Sequence, residues 1–115
     1  MKLSQVQKLL DAAVLTDTPW EDMDVHSAFG CDLMSDVLAF VKDQSLLLTG
    51  LVNPQVIRTA EMLDIRVIIF VRGKKPTDEM VDLAEKMNMI IMCTDKSLYA
   101  SSGLLFSSGL AGNGE

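Results

Sequence analysis

The chain has 115 residues, the length of one domain, and its apolar share of 49% is enough to build a sizeable core. Its formal charge of −6 argues against nucleic acid and anionic membrane as partners, because neutralising phosphate requires a basic surface. It has no apolar run long enough for a transmembrane helix, and Met1-Lys2-Leu3-Ser4-Gln5-Val6-Gln7 is too polar for a signal peptide.

Two cysteines, Cys31 and Cys93, do not make a disulfide scaffold, so a reducing cytoplasm is the simplest setting. Aromatics make up 5% of the chain while Met occurs 8 times, which predicts an aliphatic, adaptable core.

Leu3, Val6, Leu9 and Leu10 recur at helical spacing and predict a helix over residues 3–11. Residues 12–16 read as a short strand and residues 17–22 as a polar loop whose Trp20 docks on the body or on a second subunit. Residues 25–31 read as a strand ending near Gly30. Residues 32–41 read as a helix capped by Asp32 or Ser35, with Leu33, Val37 and Phe40 on its inner face and Asp43-Gln44 closing it. The next stretch is the organising one. Leu46-Leu47-Leu48 is a strand apolar on both faces, Thr49-Gly50 turns the chain, and Asn53-Pro54 starts a helix with Val56, Ile57, Ala60 and Leu63 inward. Residues 65–71 are a buried β-branched strand, residues 72–77 a turn, and Met80, Ala84 and Met87 share one face of the helix that follows. Residues 89–93 form a last strand. Thr94 caps a final helix with Leu98, Tyr99, Ser102 and Leu105 inward, and residues 107–115 read as a flexible tail.

Strand and helix therefore alternate three times with short connections, the pattern of β-α-β units. The fold expected is a three-layer α/β/α sandwich with a mostly parallel sheet of about five strands, the N-terminal strand being a candidate antiparallel edge. Residues 1–106 would form one domain. The strand-end residues Asp32, Thr49, Gly50, Asn53, Arg72, Gly73, Thr94 and Asp95 would then share the carboxyl rim, where ligands of open α/β sheets bind. Asp32, Asn53 and Thr94 are alternatively plain helix caps, and Arg72-Gly73-Lys74-Lys75 is either an anion site or a solvated turn.

His26 has no histidine or carboxylate partner in pattern, and Cys31 and Cys93 are either inert thiols or a thiol pair. No metal-ligand spacing, phosphate loop or nucleophile–base pair is present, so no cofactor, metal or catalysis is expected. A pocket joining His26 to either cysteine would revive an enzyme reading. Met80, Met87, Met89 and Met92 crowd one region as core or as an interface. Open sheet edges favour a two-fold homodimer.

Three segments resemble the DRTGG domain and the related N-terminal domain of HPr kinase/phosphorylase, over roughly residues 24–106. They are Gly30-Cys31-Asp32-Leu33, Leu48-Thr49-Gly50-Leu51-Val52-Asn53-Pro54, and Val71-Arg72-Gly73-Lys74-Lys75-Pro76 with Leu83-Ala84-Glu85-Lys86 and Cys93-Thr94-Asp95. The family's arginine is Leu33 here and its second glycine is Leu51, so contacts made by those residues are lost. The resemblance implies a regulatory or ligand-sensing module acting on a partner enzyme, with a nucleotide or phosphorylated metabolite as the leading ligand. The alternative is a protein-interaction adaptor without a ligand. Stand-alone relatives accompany anaerobic redox systems, including hydrogenases.

Overall fold

In the computed structural model, which describes residues 1–20, 22–41 and 45–112, the chain forms five helices and six strands. They are α1 (Leu3–Leu10), β1 (Ala13–Val14), β2 (Ser27–Gly30), α2 (Met34–Phe40), β3 (Leu46–Thr49), α3 (Pro54–Met62), β4 (Val67–Phe70), α4 (Asp78–Lys86), β5 (Ile90–Cys93), α5 (Leu98–Ser107) and β6 (Ala111–Gly112). The strands make one sheet in the order β1-β5-β4-β3-β2-β6. Every pairing is parallel except that of β1 with β5, so the expected antiparallel N-terminal edge is present.

Three apolar tetrads hold the centre. Leu46–Thr49, Val67–Phe70 and the first three residues of β5 are buried throughout, as strands covered on both faces must be. Alternation then divides them between two cores. Leu46, Leu48, Val67, Ile69, Val71, Ile90 and Met92 face α1 and α5, whereas Leu47, Ile68, Phe70, Met89 and Ile91 face α2, α3 and α4. The chain steps one way along the sheet from β2 to β5, and a constant crossover hand puts the three connecting helices on one face. The return from β5 to β6 runs in the opposite direction and puts α5 on the other.

Local chemistry sets the helix starts. Asn53 accepts from the Gln55 N–H at 2.8 Å with Pro54 at the first helical position, Thr77 accepts from Met80, and Ser97 accepts from Ala100. Asp78 and Glu79 in the first turn of α4 and Lys86 in its last complement the helix dipole. Beyond β1, Leu15 N–H donates to Ile91 at 2.8 Å, Thr16 Oγ1 accepts from Ile91 N–H, and Thr18 Oγ1 donates to Met89 at 2.7 Å. These bonds cover the outer edge of β5, which would otherwise be an open pairing surface.

Several expectations are corrected. The inner face of α2 is Met34, Val37 and Val41, while Leu33, Leu38 and Phe40 are exposed. The helix starts two residues later than expected, and neither Asp32 nor Ser35 caps it: Leu33 stands at the N-cap without a side-chain bond. Ser97, not Thr94, caps α5, and Tyr99 points outward while Ser101 and Leu105 are buried. The tail expected from residue 107 instead turns back, buries Leu110 and adds β6 beside β2, because a small-residue strand can lie against the edge that α5 leaves open. Methionine is core on both sides of the sheet, Met80 and Met89 in one cluster and Met92 in the other. Trp20 docks on the chain's own core beside α1. The expected close of α2 at Asp43-Gln44 and the last three residues of the chain lie outside the described residues.

Candidate functional site

Because β2 to β5 run parallel, the connections that follow them emerge on one rim. All eight candidate residues lie along it, and the structure joins them into two groups.

The first group surrounds β3. Cys31 N–H donates to Leu48 at 3.0 Å, extending the β2–β3 pairing by one residue and delivering Asp32 to the end of β3. Asp32 Oδ1 accepts from the Gly50 N–H at 2.6 Å and from the Thr49 hydroxyl at 3.2 Å. Thr49 is fully buried, and its oxygen accepts in turn from Leu51 N–H at 3.2 Å. The donor that an incoming anion would need at this turn is therefore already held by a carboxylate. Gly50 is not in the left-handed region, and a Cβ there would make ordinary contacts of 3.5 to 3.8 Å with Asp32 and Val71. The turn itself does not require glycine, contrary to the sequence reading. Asn53 is engaged as the cap of α3.

The second group joins the connections after β4 and β5. Arg72 and Gly73 are both left-handed, at φ 61 and φ 68. Arg72 N–H donates to Lys96 at 2.8 Å and Gly73 N–H to Thr94 at 2.9 Å, which stitches one connection onto the other. At Gly73 a Cβ would be strained by its φ and would sit 3.1 Å from Asp95 Oδ1, so only glycine fits without adjustment. Thr94 is buried. Its hydroxyl donates to Leu10 at 2.5 Å and accepts from Lys96 at 3.3 Å, which spends it on fixing α1. The Arg72 guanidinium is exposed and, among the described residues, has no hydrogen-bond or ion-pair partner. Asp11, Asp64 and Asn88 also have positive φ, but each follows a helix and is of the type that tolerates it. Arg72 is the exception among the described residues, and its backbone costs roughly 1–2 kcal/mol.

Two strand spacings, about 10 Å, separate the connections bearing Asp32 and Arg72. The rim thus offers a carboxylate at one point and, at another, the exposed cations of Arg72, Lys74 and Lys75, which have no ion-pair partner among the described residues. Cys31 and Cys93 lie three strand spacings apart, about 14 Å, too far for the thiol pair considered from sequence. His26 precedes β2 and so stands at the opposite rim from both cysteines, where it lines a 170 Å³ cavity with Ser45 and Arg66. Among the described residues no cluster of His, Cys, Asp and Glu is placed to hold a metal ion, and no helix is long and apolar enough to cross a membrane.

Sequence reasoning missed one feature of the surface. A groove of about 400 Å³ lies between α5 and strands β2 and β6. Its signal was available, since no charged residue occurs from Ser97 to Gly114.

Neither a family model nor a curated protein matches this chain. Among solved structures it is similar to the CBS and DRTGG domains of the regulatory region of Clostridium perfringens pyrophosphatase, crystallised with the activator diadenosine tetraphosphate. The TM-score is 0.76 at 17% identity, over 92% of this chain and 46% of that one. At that identity the likeness speaks for the fold. The chain spans less than half the length of that neighbour.

Proposed function

We propose that this chain is a single-domain regulatory and ligand-sensing module of the DRTGG kind, working in pairs in the cytoplasm and modulating a partner enzyme without catalysis of its own. Its ligand is a nucleotide or another phosphorylated metabolite. The observation that carries the reading is Arg72, strained at its backbone and, among the described residues, unpartnered at its guanidinium, on the carboxyl rim where open α/β sheets bind ligands. Phosphate would lie on Arg72 with Lys74 and Lys75 beside it. Asp32, which engages Gly50 and Thr49 through Oδ1, keeps Oδ2 to accept from a sugar hydroxyl. Thr49 and Gly50 lie at the end of the strand between them, Gly73 and Asp95 adjoin Arg72 on its other side, and Asn53 caps the helix that follows β3. The solved neighbour supports this class of ligand, being a regulatory region bound to a nucleotide activator.

A second reading is an adaptor with no small-molecule ligand, serving an enzyme system of the anaerobic redox kind that the family resemblance implies. It is favoured by one observation: the polar groups of Gly50, Asn53 and Thr94 are already satisfied within the chain.

Thermal shift with adenine mononucleotides, diadenosine tetraphosphate and sugar phosphates separates the two. The ligand reading expects a rise of several degrees, since saturation at 100 times Kd is worth about 2.7 kcal/mol. Arg72→Gly should abolish that rise while leaving the unliganded protein at least as stable, because glycine accepts the left-handed backbone. No shift with any of these compounds removes the ligand reading and leaves the adaptor.

A further inference from the structure

We propose that the outer face of α5, together with the groove between α5 and strands β2 and β6, is where a second copy of this chain docks about a two-fold axis. This names the interface of the paired form proposed above and rests on that reading.

Three observations carry it. The first is area. Tyr99 is 91% exposed and Phe106 is 68% exposed, at the two ends of one stripe on α5. Aromatic side chains bury about 150–250 Å² each, so these two alone would supply about 300 Å² of the roughly 800 Å² per partner that a stable dimer needs. The 400 Å³ groove beside Phe106 has room for an aromatic ring from the other copy.

The second is charge. Close to a two-fold axis residues approach their own copies, so in a chain of net charge −6 a face without carboxylates there avoids like-charge repulsion. The segment from Ser97 to Gly114 holds no charged residue. The rival apolar face, Leu33, Leu38 and Phe40 on α2, has Asp32 and Asp36 beside it and would set carboxylate against carboxylate.

The third is Gly103, in the middle of α5 between the two aromatics. Glycine inside a helix is unfavourable, yet a Cβ here would meet nothing within 4 Å among the described residues. Packing among the described residues gives no reason for the missing side chain, whereas a Cβ at Gly30 below it would press on Leu98 and Ser102 at 3.2 Å. Close approach of a second helix supplies the reason.

Analytical ultracentrifugation of the intact chain over a dilution series tests this, with circular dichroism checking that each variant folds. The wild type should be a dimer. Phe106→Glu and Tyr99→Glu should each raise its dissociation constant about 30-fold or more, as hot-spot residues do, and Phe40→Glu should not. Gly103→Leu should also split the dimer, although its side chain enters open space in the isolated fold. A wild type that is monomeric throughout overturns both the face and the paired form. A dimer that survives the three α5 variants overturns the face alone. The ligand reading stands or falls separately, on the thermal shifts.

Discussion

Ser101 is buried on α5, and its hydroxyl is the one side-chain oxygen among the described residues that is buried without a hydrogen-bond partner. Removing it should help. Ser101→Ala deletes an unpaired polar group and improves helix propensity, so the urea midpoint should rise by an amount equal to about 1 kcal/mol. Asp22 makes the opposite case, a polar group fully used. Its carboxylate accepts from the Ser4 N–H at 2.9 Å and the Ser4 hydroxyl at 2.8 Å, and those bonds, the backbone one first, hold its pKa below the ordinary 3.8. The unfolded chain therefore binds this proton more tightly than the folded one. The stabilisation is present in full above about pH 3.8 and is lost as pH falls through the lower folded value. The difference in urea midpoint between wild type and Asp22→Asn should accordingly be largest at neutral pH and shrink in strong acid. Not all of this was legible in the sequence. Asn53 was, because Asn-Pro before an apolar periodic run is a local signal. Asp32 and Thr94 were not, because the partners that claim them, Gly50 and Leu10, are brought in only by the completed sheet.

Helix caps carry the argument at the level of the element. Thr77 and Ser97 accept from the third N–H of their helices, and replacing either by Ala should cost about 1 kcal/mol. The start of α2 lacks this support, since Leu33 at its N-cap is 57% exposed and makes no cap bond. Leu33→Ser should therefore stabilise the protein by about 0.5–1 kcal/mol in urea denaturation, in the opposite direction to Thr77→Ala. Hydrophobic spacing identified every helix but placed two of them in the wrong rotation. In α2 the reading followed Leu33 and Phe40, the largest apolar residues, while the core takes Met34, Val37 and Val41. α5 is uncharged and mixes serine with apolar residues all round, so its period holds no information about which side faces the sheet, and Tyr99 was assigned inward for that reason.

For the molecule as a whole, the continuous apolar runs at residues 46–48, 67–71 and 89–92 were enough to foresee a mostly parallel sheet with helices on both faces. The sixth strand was hidden because Ala111 and Gly112 have neither the bulk nor the branching of a strand. Its position has a kinetic consequence. β6 lies against β2, so Ala28 waits for Gly112 while β3, β4 and β5 can assemble as each emerges during synthesis. A growing chain would hold its middle repeats before β6 seals the border at β2, and that completion depends on a contact of long range.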